Sequence, residues 1–438
     1  MQKQRKKEPV NLNFDKAIIS TPFQAEKEYE KQPVAWKRVL QYADFRLLWL
    51  GAFLFHTGMW MLEATFGWLS YDLTNDKGFL ALVLTCKMLP YAVLGPFIGP
   101  ILDLYNKRKI MLLSHFCFIG IVILTGLSLS FGLLTPSLLL VSSSLLGVIC
   151  TFEAPARQSL TSMLVPKKDF TAAFPLQVKS LHAAKLVGPI LAGFIMRFYS
   201  PAGCFYFSVF AFLSLAIVVL QLKTDLSSKI ARKISTKSAL KDGIGFILSD
   251  SRLRFLFGAA SLVTLTSFFY PMLLPAYARD VLELDEVGLG RILCATGIGA
   301  FGSLVFKTTL ADRPILGYLP IFATTGLGVF LFFLASNTGE YAAYLILILI
   351  GFFHGLLTIS TRTISQILTP VELRGRVMSI EIWVFIGVAA LSGLIFGKLA
   401  QTTSISFVYN LGALFVLGIA LFMWKYRGVL TQIDRERD

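Results

Sequence analysis

One stretch of the chain joins the end of one long apolar segment to the start of the next: Gly95-Pro96-Phe97-Ile98-Gly99-Pro100-Ile101-Leu102-Asp103-Leu104-Tyr105-Asn106-Lys107-Arg108-Lys109. On a helix, Gly95, Gly99 and Asp103 fall four residues apart on one face, so two small residues allow a second helix to approach closely and lead to a carboxylate. Three cations, including Lys107 and Arg108, follow at once. Because basic residues in short loops mark the cytoplasmic side of a membrane, this stretch predicts a cytoplasmic loop between two membrane helices, with Asp103 at the membrane edge.

The composition is that of a polytopic membrane protein. Of 438 residues, 55% are hydrophobic and only 15% are charged, and the mean hydropathy is +0.68. This is more apolar surface than one soluble core could bury. The formal charge of +15 would suggest nucleic acid in a soluble chain, but the basic residues cluster in loops between apolar runs, which indicates topology and contact with anionic lipid headgroups. The five cysteines form no CxxC pair, so we expect packing residues and neither a metal site nor a cofactor.

About twelve apolar runs are long enough to cross a bilayer core of roughly 30 Å. We interpret runs such as 79–102 and 253–277 as single crossings. The loops after the second, fourth, eighth and tenth runs are basic, whereas the opposite loops are short and nearly uncharged, or acidic as at residues 280–286. This alternation predicts that both termini are cytoplasmic.

The two halves of the chain repeat. Asp44-Phe45-Arg46-Leu47 is echoed by Asp250-Ser251-Arg252-Leu253 at an offset of 206 residues. Arg157 and Pro166 are echoed by Arg362 and Pro370 at offsets of 205 and 204. A near-constant offset predicts an all-α fold of twelve transmembrane helices in two pseudo-symmetric six-helix bundles, with a substrate site between them. The predicted order is a cytoplasmic tail (1–44), a six-helix bundle (45–222), an amphipathic cytoplasmic linker (223–250), a second bundle (251–425) and a cytoplasmic tail (426–438).

The opening stretch resembles the loop signature of the major facilitator superfamily. Leu104 stands where that signature usually has arginine, and Asn106 where it usually has glycine, so we expect Asn106 in a left-handed turn. Over roughly residues 42–425 the chain is similar to the bacterial exporters that include the enterobactin exporter and macrolide efflux pumps. The segments that carry this resemblance are Asp44-Phe45-Arg46-Leu47-Leu48-Trp49, Trp68-Leu69-Ser70-Tyr71-Asp72-Leu73-Thr74, Glu153-Ala154-Pro155-Ala156-Arg157-Gln158, Gly188-Pro189-Ile190-Leu191-Ala192-Gly193 and Arg374-Gly375-Arg376-Val377-Met378-Ser379.

The resemblance implies a function. It implies a monomeric secondary active exporter in the bacterial cytoplasmic (inner) membrane, with a siderophore or drug-like compound as substrate. The implied mechanism is proton antiport with alternating access. A lysophospholipid flippase shares the architecture and stays an alternative.

Proton coupling is assigned to the first run. His56, Trp60 and Glu63 lie on one helical face, and ionisable groups at membrane depth are costly enough to be functional candidates. We predict that Glu63 couples protons, with His56 beside it. Alternatively, a partner holds Glu63 permanently as a clasp between helices.

Cations outnumber acids in the apolar runs. Lys179, His182 and Lys185 recur on the fifth run, and Lys87 and Lys398 lie in the second and eleventh. A net positive cavity favours an anionic or polyhydroxylated acidic substrate. Alternatively, Lys179 and Lys185 extend to a polar phase near a helix end. The residues predicted to line the cavity are Trp60, Lys87, Lys179, His182, His354 and Glu381, although a lone histidine in an apolar run such as His354 is more often a hydrogen-bonded core residue than a ligand.

Gly188, Pro189 and Gly193 on the fifth run predict a helix bend, because proline removes a backbone hydrogen bond and glycine allows close packing. Glu153 and Arg157 are four residues apart and can pair, and with Asp103 they could form a cytoplasmic gate that breaks and re-forms. The complete set of predicted gate residues is Gly95, Gly99, Asp103, Lys107, Arg108, Glu153, Arg157, Arg374 and Arg376.

Two other functional classes are disfavoured. The sequence contains no phosphate-binding glycine loop followed by lysine, so direct use of ATP is not expected. A membrane-embedded enzyme would need a nucleophile with a base, or a metal triad, near one membrane face, and no such constellation is present in the sequence.

Overall fold

The computed structural model describes residues 35–222, 236–310 and 315–435, apart from the side chains of some residues within them, including Gly99 and Asp103. The first half contains helices α1 Ala35–Val39, α2 Ala43–Thr74, α3 Lys77–Cys86, α4 Leu89–Leu104, α5 Lys107–Ser130, α6 Pro136–Leu164, α7 Lys167–Phe198 and α8 Pro201–Gln221. The linker contributes α9 Thr236–Ser249. The second half contains α10 Ser251–Ser267, α11 Tyr270–Asp280, α12 Glu286–Thr309, α13 Leu319–Ser336, α14 Glu340–Leu368, α15 Val371–Thr402, α16 Ile405–Lys425 and α17 Gly428–Arg435.

Twelve of the described segments are long and apolar enough to cross a membrane. The predicted all-α architecture of twelve membrane helices in two six-helix bundles is confirmed. Two crossings are made of two helices each, whereas the sequence predicted single runs. The second breaks between α3 and α4, and the seventh between α10 and α11. Pro90 and Pro271 lie in the first turns of α4 and α11, where the missing N–H costs little, so each proline starts a new helix.

The fifth crossing, α7, belongs to the first bundle and lies at its interface with the second. A Cβ atom at Gly193 would lie 2.6 Å from the Glu286 carbonyl oxygen of α12, and one at Gly290 of α12 would lie 2.6 Å from the Pro189 carbonyl oxygen. Glycine at both positions therefore allows these helices to pack backbone to backbone across the interface. Pro189 lies within the continuous helix α7. Across the same interface, α15 packs against α3 and α4.

Short helices outside the membrane segments dock on the bundles. Arg38 of α1 donates a hydrogen bond to the buried Asp169 carboxylate (2.7 Å), and Tyr42 donates another (2.8 Å). The hydrogen bond to Asp169 raises the pKa of the Tyr42 phenol. In α17, the Asp434 carboxylate accepts the Gly317 N–H at the start of the ninth crossing (3.0 Å). Parts of both predicted tails therefore belong to the folded protein; residues 1–34 and 223–235 lie outside the described residues.

Candidate functional site

An ion pair joins α2 to the break in the second crossing. Glu63 lies within α2, and Lys87 lies directly after the last residue of α3. The Lys87 ammonium donates a hydrogen bond to a Glu63 carboxylate oxygen. Both side chains are mostly buried, with 18% of Lys87 and 28% of Glu63 exposed. Pairing offsets part of the cost of each charge at membrane depth.

The backbone at Lys87 is held in place by α6. A Cβ atom at Gly147 would lie only 2.2 Å from the Lys87 carbonyl oxygen, so α6 can reach the break because residue 147 is glycine. One turn earlier on α6, Ser143 donates a hydrogen bond to the Val83 carbonyl oxygen (2.7 Å). This carbonyl is one of those that a helix leaves without an intrahelical partner at its end. The packing thus fixes the backbone of the break beside Glu63.

A second lysine approaches the same region from α7. The Lys185 ammonium lies 5.0 Å from the centroid of the Trp60 ring, a cation–π distance. The two helices approach closely at Gly188, where a Cβ atom would lie 2.7 Å from both the Thr57 carbonyl oxygen and Trp60 Cβ. Among the described residues, no carboxylate lies within ion-pair distance of Lys185. The sequence predicts Lys185 either as one of the cations of a net positive cavity or as a side chain that extends to a polar phase, and Lys185 is not in the predicted set of cavity-lining residues.

The other predicted residues on α7 are arranged differently. Lys179 is exposed, and His182 is partly buried. The structure therefore places Lys185, rather than Lys179, against Trp60.

His56 lies inside the first bundle. Its ring packs edge-on against Phe55, with centroids 5.5 Å apart, and it is only 7% exposed. His56 Nδ1 has no hydrogen-bond partner in the described part of the chain. No described hydrogen bond joins His56 to Glu63, although the two residues share a helical face.

A buried polar network links α6 to α7. Arg157 Nε donates to Glu153 one turn earlier on α6 (2.8 Å), and the Arg157 guanidinium also donates to Gln177 of α7 (3.3 Å). The Gln177 amide in turn donates to the Thr161 hydroxyl (2.5 Å). Asp103, the third member of the predicted gate, lies outside the described side chains.

The small-residue stripe of the opening stretch faces the other bundle. A Cβ atom at Gly95 would lie 3.4 Å from Trp383 Cδ1 of α15. The Trp383 indole donates a hydrogen bond to the Ala92 carbonyl oxygen (2.7 Å). The stripe therefore carries a contact between bundles; Gly99 lies outside the described side chains.

The basic loop after this stretch departs from expectation at Asn106. Its φ is −66°, so the predicted left-handed turn is wrong. Asn106 instead caps α5, because its side chain accepts the N–H groups of Arg108 (2.9 Å) and Lys109 (3.3 Å). Lys107 is the first residue of α5, and the Arg108 guanidinium donates to the Leu220 carbonyl oxygen of α8.

The second bundle has its own ion pair between α14 and α15. Arg362 Nε lies 3.5 Å from a Glu381 carboxylate oxygen; the Arg362 side chain is 49% exposed and that of Glu381 only 1%. His354 of α14 packs among aromatic rings, 5.8 Å from Phe268 and 6.3 Å from Tyr270 between centroids.

The two predicted gate arginines at the start of α15 have different environments. Arg374 is partly buried, and its Nε has no hydrogen-bond partner in the described ranges. Arg376 pairs with Asp242 of the linker helix α9 (2.7 Å). Arg376 thus ties α15 to the linker.

The charges described so far leave the interface between the bundles net positive. Lys87, Lys185 and Arg362 stand against Glu63 and Glu381. Such a set can exchange protons at the acids and attract an anion to the cations. Within the described ranges, no group of three or more histidine, cysteine, aspartate or glutamate side chains is placed to hold a metal ion.

The bundles are pinned together at the end where α2 terminates, which we call the closed end. The Tyr71 hydroxyl donates to the Asp280 carboxylate of the other bundle (2.5 Å), and Lys77 lies 3.7 Å from the same carboxylate. Arg279 pairs with Asp72 (2.8 Å).

Further contacts between the bundles complete the closed end. Arg197 lies 3.7 Å from Asp285, and Gln401 donates to Asp76 (2.9 Å). A cavity of about 460 Å³ lies at this end, lined by Tyr71, Asn75, Asp76, Lys77, Asp280 and Gln401. The sequence predicts only nearly uncharged or acidic loops in this region. The signal for the observed ion pairs is the presence of acidic and basic residues at both ends of these loops.

Comparisons with known proteins agree with this architecture. The nucleoside transporter NupG, in a mutant form, superimposes with a TM-score of 0.73 at 13% identity, over 87% of this chain and 99% of that one. A bacterial homologue of the human lysosomal transporter Spinster, solved inward-facing and unoccupied, gives a TM-score of 0.65 at 11% identity, over 90% and 98% of the two chains. At such identities the likeness shows the fold alone.

The relatives found by sequence match a smaller share of the chain than these structures do. The staphyloferrin A transporter of Staphylococcus aureus is 25% identical over 59% of this chain and 66% of its own length. A Na⁺, Li⁺, K⁺/H⁺ antiporter of Planococcus maritimus is 22% identical over 63% and 66%. Both matches thus span slightly less than two thirds of the relative. The model of the transmembrane secretion effector family matches residues 36–436. The chain therefore belongs to the transmembrane secretion effector family of major facilitator transporters.

Proposed function

We propose that this protein exports a small organic molecule, a siderophore or a drug-like compound, by proton antiport. Family membership makes it a transporter. Similarity to a protein named for a siderophore supports a siderophore as the substrate, and similarity to one named as a proton antiporter supports proton antiport as the mechanism. The single observation that carries proton coupling is the Glu63–Lys87 ion pair at membrane depth, at the break in the second crossing.

The pair supplies a site where a proton changes the structure. An isolated charge at the centre of a membrane helix costs roughly 2.5–3.5 kcal/mol on insertion scales, so Glu63 is stabilised either by Lys87 or by a proton. Protonation removes the attraction that ties α2 to the break between α3 and α4. The helices of the first bundle can then shift against one another, and such a shift allows the second packing of the two bundles that alternating access requires.

The test of coupling uses purified protein in proteoliposomes. Glu63→Gln mimics the protonated form, so we expect proton-driven export to be abolished while substrate binding and passive exchange remain. Glu372→Gln is the matched control, because Glu372 is an exposed acid at the start of α15. If Glu63→Gln exports against a gradient as fast as the parent while the proton gradient is still required, the coupling site lies elsewhere.

The substrate is sought by comparing a deletion strain with its parent under iron limitation. A siderophore retained in the cells supports export of that compound. Unchanged secretion with altered lysophospholipid would instead favour the flippase.

We further propose that the substrate is anionic and contacts Lys185. This lysine is partly buried on Trp60, and the described residues offer it no carboxylate within ion-pair distance. An anionic substrate would supply that charge. Lys185→Gln should therefore weaken export much more than Lys179→Gln, since Lys179 is exposed. The reverse order would restore Lys179 as the contact residue.

The proposed location is the bacterial cytoplasmic membrane, with both termini cytoplasmic and the closed end outside. The basic loops support this orientation. A cysteine introduced in loop 72–78 should react with an impermeant thiol reagent on intact cells, and one in the linker 223–250 should not. The opposite labelling pattern would reverse the proposed orientation. The remaining proposals are the predicted bundle boundaries, a monomeric state and contact of the basic loops with anionic lipid headgroups.

A further inference from the structure

Glu381 is buried in the second bundle. Neither of its carboxylate oxygens accepts a hydrogen bond in the described part of the chain, and the side chain is 1% exposed. The Ser365 hydroxyl of α14 faces this carboxyl and likewise has no hydrogen-bond partner among the described residues. A buried ionised carboxylate normally accepts several hydrogen bonds, whereas a protonated one can donate to a hydroxyl such as Ser365. The surroundings therefore suit a carboxyl group that exchanges a proton.

The groups that face Glu381 are few. Among the described residues, Arg362 is the charged group that lies against it, and His182 of α7 and Tyr91 of α4 lie close enough to be affected by the Arg362 charge. The side of α15 around Val377 and Ile380 packs against apolar side chains of α9 and α10. Helix α16 carries no charged side chain before Lys425. The described charged residues on α3, α9 and α10 are paired elsewhere or exposed: Lys77, Lys87, Lys241, Asp242, Arg252 and Arg254.

The internal repeat shows what is special about this position. Arg362 corresponds to Arg157 at an offset of 205, and Glu381 corresponds to Gln177 at an offset of 204. In the first bundle, Arg157 reaches across to the neutral amide of Gln177 and finds its acid, Glu153, on its own helix. In the second bundle, the arginine reaches across to an acid instead. In this contact between consecutive crossings, the partner of the arginine is thus a neutral amide in the first bundle and a carboxyl group able to bind a proton in the second.

We propose that Glu381 is a second proton-binding site and that proton binding there releases Arg362 into the cavity between the bundles. The proton comes from cavity water, and no other group is consumed. This inference rests on the proton-driven transport proposed above. Because Arg362 is half exposed, protonation of Glu381 leaves the positive charge of Arg362 uncompensated on the surface that meets the substrate.

Difference infrared spectra of purified protein, recorded between acidic and neutral pH without substrate, test this directly. The parent should show C=O stretching bands of protonated carboxyls that titrate with pH. We expect Glu381→Gln to remove one component of these bands and Glu63→Gln to retain that same component. Gln177→Glu should add a further component, because it gives the first bundle the chemistry of the second. An unchanged difference spectrum in Glu381→Gln would overturn the proposal.

If Glu381→Gln does not fold, Ser365→Ala decides the matter. The protonated carboxyl then loses its acceptor, so its band should shift in frequency, and an unshifted band would refute the proposal. Since no substrate is present, this result is independent of whether the protein exports a siderophore. Conversely, failed export by a protein with the Glu381 band would count against the proposed function alone.

Discussion

Weakening one hydrogen bond at the closed end should shift the equilibrium between the two packings of the bundles. In Asp280→Asn, the charged acceptor of the Tyr71 hydroxyl becomes neutral and the attraction to Lys77 is lost. A hydrogen bond to a charged group contributes about 1.5–3 kcal/mol and a neutral one about 0.5–1.5, so the net loss is about 1–2 kcal/mol. This corresponds to a factor of roughly 5–30 in the equilibrium constant. A minor state populated at about 1% would become readily detectable.

Pulsed electron paramagnetic resonance can measure this shift. Spin labels on cysteines at Phe131 and Tyr341 report the separation of the bundles at the closed end, because both positions are exposed, at 74% and 85%, and lie in different bundles. The five native cysteines are first replaced. We expect Asp280→Asn to increase the population at longer distances.

Asp72→Asn is the matched control for this experiment. Its pair with Arg279 is exposed at 49% and 43%, and exposed pairs contribute only about 0.2–1 kcal/mol. The shift should therefore be smaller than in Asp280→Asn and should shrink further in salt. An unchanged distribution in Asp280→Asn, or a larger shift in the control, would refute the reasoning.

Two further predictions rest on single contacts, and a third rests on the sequence motif around Asp103. Gly147→Ala drives a methyl group against the Lys87 carbonyl and should cost about 1–3 kcal/mol of stability in a thermal shift assay. Gly120→Ala is the control and should not lower stability, because a Cβ atom there would meet no described atom within 4 Å beyond its chain neighbours and the nearby backbone of its own helix. Asp434→Ala leaves the Gly317 N–H without its acceptor and should lower stability by about 1–3 kcal/mol by the same assay; an unchanged melting temperature would contradict this. Asp103→Asn keeps the shape of the predicted gate residue, so the protein should fold but transport should fall, and transport at the parent rate by folded protein would remove Asp103 from the gate.

Much of the fold could be predicted because its signals are local. Apolar length, loop charge and the near-constant repeat offset each require only the sequence, and together they predicted twelve crossings in two bundles. The breaks at Lys87 and Phe268 were missed because the apolar runs continue through them. Pro90 and Pro271 were the available signals, since a proline inside an apolar run often marks the first turn of a new helix.

The candidate site was less predictable because it depends on distances between helices. Trp60 and Glu63 were found from their shared face on one helix. The Glu63–Lys87 pair, however, depends on how closely α6 supports the break, and that is set by Gly147, far away in sequence.

Helix geometry alone could have separated Lys179 from Lys185 as candidates for contact with the substrate. At 3.6 residues per turn, six residues rotate the helix by roughly 600°, so Lys179 and Lys185 point about 120° apart and cannot share one environment. The structure places Lys185 on Trp60 and leaves Lys179 exposed.

The docked helix α17 has a consequence for how the protein is made. Asp434 accepts its hydrogen bond from Gly317, which opens the ninth crossing, so residues more than a hundred positions apart close one contact. During synthesis the ninth crossing is inserted long before α17 leaves the ribosome, and until then the start of that crossing lacks its acceptor. The start of the ninth crossing therefore gains this hydrogen bond only after all twelve crossings have been made. A reporter fused directly after α17 would lie beside a contact that can form only after the twelfth crossing has been made.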